Sequence, residues 1–149
     1  MAPIDHAEPY ACARAWVALR EVHALVSDML ESALAGECGL TVNEFETLLH
    51  LRTAAPGRVR LGDLGAAVPL SQPALSRLAD RLQRQGLVRR VEAEDDRRSV
   101  LLELTGAGRE RLDRAVPVHA RSIQASLTGR LTDAEQETLV ALLGRLNRR

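Results

Sequence analysis

The chain has 149 residues, 46% hydrophobic and 27% charged, and its 20 basic and 20 acidic side chains cancel. That length supports one real core, and the charge balance excludes a binder that works by bulk positive charge. Aromatic residues make up only 2%, which excludes holding single strands by base stacking.

Every basic residue is arginine, which offers forked donors where lysine offers a point charge. Cys12 and Cys38 stand far apart with no CxxC and no nearby His pair, which excludes a disulfide scaffold and an ordinary structural zinc site. His23, His50 and His119 show no metal-ligand spacing, so neither metal nor cofactor is expected. No apolar run approaches the roughly 18 residues of a membrane span. The opening MAPIDHAEPYACAR carries acids where a signal peptide needs bases, so the expected compartment is the cytoplasm.

In chain order, residues 1–9 contain Pro3 and Pro9 and read as a frayed end. A long helix is expected over 10–35, with Trp16, Leu19, Val22, Val26, Leu30 and Leu34 near one face and Gly36 and Gly39 ending it. Thr41-Val42-Asn43-Glu44 is a capping-box pattern that opens a second helix to about Thr53. Val59–Leu61 reads as a short strand, and 61–68 as a two-turn helix.

The next segment, Ser71–Thr105, carries the functional reading. Ser71 is a candidate N-cap, and Pro73 falls in the first turn, where its missing N–H costs nothing. Leu75, Leu78, Ala79 and Leu82 form one apolar stripe, opposite Gln72, Ser76, Arg77, Asp80, Arg81 and Arg84. Gly86 stops the helix, and two strands then flank the charged turn EAEDDRRS. Two short helices and an Arg-tipped hairpin are what a winged helix presents to DNA. Over 70–91 the bases Arg77, Arg81, Arg84, Arg89 and Arg90 face a single acid, Asp80. After the hairpin, Thr105 opens a helix to about Thr128 with Pro117 inside it, and Thr132–Glu135 is a second capping box for a last helix. The end helices carry apolar stripes that a small central module cannot cover, which predicts a homodimer.

Several stretches resemble the MarR family of transcriptional regulators: LTVNEFETLLHL, LSRLADRLQRQGLVRR and, most specifically, DDRRSVLLELTGAG. The element order resembles that family over nearly the whole length. The resemblance implies a mainly α fold with a small β wing, one domain over 1–149. Within it, a winged helix-turn-helix at 41–104 lies between dimerisation helices at 10–35 and 105–149.

The resemblance further implies a dimeric repressor, released from a palindromic operator in double-stranded DNA by a small aromatic or anionic ligand. Ser71, Gln72, Pro73, Ser76 and Arg77 would meet base edges, with Arg81 nearer the backbone. Arg98 would enter the minor groove with Arg97 beside it on phosphate, and Asp96 would brace the wing. Trp16, Arg20, Glu46 and Arg90 are the candidate ligand-binding set, by likeness to a urate-responsive subgroup; Glu46 and Arg90 could instead pair with each other. Cys12 carries an alternative reading as an oxidation sensor. A winged helix serving only protein contacts is a further alternative. No GxSxG, phosphate loop or HExxH is present, so no catalytic residue is expected and the chain does not read as an enzyme.

Overall fold

A computed structural model describes residues 8–54, 57–92 and 100–147. Along these residues run α1 (Glu8–Cys38), α2 (Val42–Thr53), β1 (Arg58–Arg60), α3 (Leu64–Ala67), α4 (Gln72–Arg84), β2 (Val88–Glu92), β3 (Val100–Leu104), α5 (Gly106–Leu127) and α6 (Asp133–Leu146). The strands form one antiparallel sheet in the order β1-β3-β2. Its register pairs Val59 with Leu102 and Leu102 with Arg90. The expected class, mainly α with a small β wing, holds.

Local chemistry explains most boundaries. Thr41 and Thr132 both complete reciprocal capping boxes, with Glu44 and Glu135 respectively, so α2 and α6 begin where the sequence predicts. α1 runs longer than expected. Its first turn accommodates Pro9, and it passes straight through Gly36 to end at Gly39, whose φ of +64° is the left-handed stop. α3 is shorter than the expected 61–68 helix because Leu61 is already bonded to the sheet: its amide donates to the Val100 carbonyl at 3.0 Å.

The chain divides into two compact units. The first comprises residues 1–30 and 122–149, the second residues 31–121. α1 and α5 therefore contribute to both. The second unit holds the main core, where Leu34, Leu48, Leu51, Val68, Leu82, Leu102, Leu112 and Ala115 are completely buried. Within the first unit, Ser126 Oγ lies 3.3 Å from Met29 Sδ. α6 has no buried residue; Val140 is 70% and Leu146 76% exposed.

Phe45 of α2 and His119 of α5 stack in the second unit, with ring centroids 4.5 Å apart and planes 24° from parallel. Burial pulls His119 below its ordinary pKa of 6.5, against the opposing pull of the Glu46 carboxylate. The unfolded chain thus binds this proton more readily than the native one, and acid favours unfolding. The stability from neutral His119 is complete above the unfolded value and declines as pH falls through the lowered native value. Melting curves between about pH 7.5 and 5 should show this fall, and His119→Phe, which keeps a stacking ring, should make the slope shallower. Identical slopes in the two proteins would contradict the assignment.

Candidate nucleic-acid interface

The candidate interface is built on α4. Leu75, Leu78, Ala79 and Leu82 face inward and are buried, which turns the opposite side of the helix to solvent. Gln72, Pro73, Arg77, Arg81 and Arg84 are exposed there, and Ser76 is half-buried. Ser71 holds the N-cap position in extended conformation, yet its hydroxyl makes no cap bond. Pro73 lies in the first turn and removes one of the amides that a cap side chain normally engages. Among the described residues Arg77 has no hydrogen-bond or ion-pair partner.

Two adjacent residues tie α4 to its neighbours. Asp80 accepts from Arg90 of β2 at 2.6 Å. Arg81 Nε donates to Glu44 Oε1 of α2, also at 2.6 Å. The recognition-helix candidate is thereby tethered to the sheet on one side and to the start of α2 on the other. Across the sheet, Glu103 of β3 takes Arg89 Nη2 at 2.8 Å and lies 3.7 Å from Arg58 Nε. This row of charges runs across all three strands. The ribbon tip, with the expected Asp96, Arg97 and Arg98, lies outside the described residues.

The other candidate residues fall in different units. Trp16 and Arg20 sit one turn apart on α1 in the first unit, both exposed, with Trp16 at 65%. Glu46 and Arg90 belong to the second unit. The contemplated Glu46–Arg90 pair does not form, because Asp80 holds Arg90 while the charge of Glu46 acts on His119. Cys12 is exposed and lines an open apolar groove of about 920 Å³ within the first unit, together with Trp16, Leu19, Val22, Leu139 and Leu143.

Three structural residues were not legible as such in the sequence. Glu44 showed only as a capping residue, and its long-range partner left no local signal. Asp80 was one polar residue on the outward face of its helix. Gly108 closed the stretch DDRRSVLLELTGAG, but nothing in the letters showed why a glycine is needed there. A Cβ added at Gly108 would collide with the Leu87 carbonyl and lie 2.7 Å from Leu104 Cδ1.

Comparison with known proteins supplies the family. The model of the MarR family matches residues 39–99. The uncharacterized HTH-type transcriptional regulator YkoM of Bacillus subtilis (strain 168) is 34% identical over 107 residues, which cover 72% of this chain and 68% of YkoM. Sco3205, a MarR family transcriptional regulator from Streptomyces coelicolor solved in complex with DNA, superposes with a TM-score of 0.83 at 25% identity; the match covers 98% of this chain and 89% of that one. BpsR of Bordetella bronchiseptica, whose DNA binding is regulated by 6-hydroxynicotinic acid, superposes with a TM-score of 0.80 at 25% identity over 99% of both chains.

Proposed function

The chain belongs to the MarR family and is a transcriptional regulator, not an enzyme; from that premise we propose that it is a cytoplasmic homodimer that represses transcription from a palindromic operator and is released by a small aromatic or anionic ligand. The observation that carries the DNA reading is the face of α4. Exposed Gln72 and Arg77 stand on a buried leucine stripe, and Arg77 is unpartnered among the described residues. Gln and Arg are the side chains that pair bidentately with adenine and guanine. Ser71, Pro73 and Ser76 would line the same approach, Arg81 and Arg97 would meet phosphate, and Arg98, on a wing braced by Asp96, would enter the minor groove.

The dimer is supported by the uncovered apolar surface of the first unit, where Trp16, Val22, Leu25, Val140 and Leu146 are all exposed. A solvent-facing apolar surface of this kind is what an interface between subunits covers. The ligand reading is supported by BpsR, which responds to a small aromatic acid, and by the exposed ring and guanidinium of Trp16 and Arg20 on α1. A ligand there would act by changing the separation of the two recognition helices, which must sit about 34–36 Å apart to read successive major grooves.

The test is a mobility-shift titration on duplexes from the gene's own promoter, at several salt concentrations, beside sedimentation of the free protein. Wild type should sediment as a dimer at micromolar concentration and bind with a steep loss of affinity as salt rises. Arg98→Ala should weaken that binding at least tenfold, on the order of one lost groove contact in each half-site. Salt-independent binding or none would overturn the DNA reading, a monomer would overturn the dimer, and unchanged affinity in the variant would overturn the wing assignment.

A further inference from the structure

Glu44 is the one charged side chain in the buried set among the described residues, at 2% exposure. A capping box explains only half of its carboxylate. Oε2 accepts the Thr41 amide at 2.8 Å and closes the start of α2. Oε1 faces α4 instead, where it accepts Arg81 Nε at 2.6 Å and Gln85 Nε2 at 3.4 Å. A carboxylate kept this far from water needs its charge matched, and Arg81 supplies the cation.

The arginine side of the pair is unlike the acid side. Arg81 remains 47% exposed in its side chain, and no partner other than Glu44 is found for it among the described residues. A guanidinium has five donors in a rigid fork, so capture at Nε orients the plane and leaves the far Nη pair able to take a second anion. Arg81 lies one turn beyond Arg77 on the exposed side of α4. Its free donors therefore stand beside the side chain proposed to read a base.

We propose that Glu44 is a positioning residue for DNA binding: it holds Arg81 by Nε so that the Nη groups meet a backbone phosphate and set the seating of α4 in the groove. This rests on the reading of α4 as the groove-reading helix. The arrangement works because phosphate contacts fix register and orientation, whereas base contacts specify sequence. An acid on the DNA-facing half of the molecule is then a contributor to affinity, although it repels the DNA directly.

That inversion makes the test decisive. By charge alone, neutralising an acid near a polyanion strengthens binding. Glu44→Gln keeps the capping box, since glutamine serves equally at that position, but releases Arg81. The expected result is binding to the promoter duplex weakened at least about tenfold, the scale of one charge-assisted hydrogen bond. The salt slope should fall by about 0.9 for each protomer's lost phosphate contact. Arg81→Gln should lose affinity and slope alike, and the double variant should be no worse than either single one. Arg81→Lys keeps the charge but has no Nε–H to give Glu44 while a separate Nη pair reaches outward, so it should lose affinity too.

Tighter or unchanged binding by Glu44→Gln would overturn the proposal, as would losses that multiply in the double variant. Circular dichroism and melting check that each variant is folded. Should Glu44→Gln fail that check, Arg81→Lys decides, and wild-type affinity in it overturns the proposal. A folded wild type with no salt-dependent binding would instead overturn the reading of α4 beneath it.

Discussion

Arg77→Ala is expected to weaken operator binding by about 1–3 kcal/mol per half-site and to abolish discrimination at one base pair in each, with no change in melting temperature. The stability expectation follows from its surroundings: Arg77 is exposed and unpartnered among the described residues, so removing it leaves no buried group unsatisfied. The binding expectation follows from geometry. Arg77 follows the first turn of α4, the part of a recognition helix that approaches base edges. Competition among duplexes altered one base pair at a time measures both effects. Loss that is equal on every sequence, with a reduced salt slope, would reassign Arg77 to the phosphate backbone. Arg77→Lys sharpens the comparison, because it keeps the charge but cannot make the bidentate contact.

Gly108→Ala carries the largest expected effect on stability. The Gly108 amide donates to Thr105 Oγ1 at 3.0 Å in the first turn of α5. A Cβ here would run into the Leu87 carbonyl and approach Leu104 Cδ1 to 2.7 Å. The carbonyl cannot yield, because the Thr105 amide already holds it at 3.1 Å. Overpacking against backbone lies at the upper end of such costs, about 3 kcal/mol, or roughly 10 °C in melting temperature. Gly36→Ala is the control. It lies inside α1 with nothing within 4 Å of the added methyl, so it should stabilise by about 0.5–1 kcal/mol. Calorimetry on both variants checks the pair, and similar melting temperatures would contradict the packing argument.

The contrast between these glycines shows what a sequence can disclose. Both capping boxes were legible because Thr41 with Glu44, and Thr132 with Glu135, meet within one turn. The apolar stripe of α4 was legible because burial repeats with the helical period. Gly36 and Gly39 look equivalent in a string of letters. Which one stops α1 depends on the loop that must turn back into α2, where the Leu40 amide reaches the Leu34 carbonyl. The need for Gly108 could not be read from the letters, because the atom that demands it belongs to Leu87, far along the chain. Of the candidate site, the outward residues of α4 could be read from periodicity. The two ion pairs that tether it, Asp80–Arg90 and Glu44–Arg81, join different elements and are created only by folding. For the same reason the alternative pairing of Glu46 with Arg90 does not form: the acid that Arg90 meets is Asp80, brought to it by the packing of β2 and α4.

The bare α6, with no buried residue of its own, would make the proposed dimer sensitive to its own abundance. A helix whose apolar side is covered only by a second copy gains tertiary stabilisation only on encounter, so melting temperature should rise with protein concentration. At levels below the dimerisation constant, operator occupancy would follow the square of the chain's concentration. In such a dimer, halving synthesis would cut occupancy fourfold, and the regulator would act as a threshold device even before any ligand arrives.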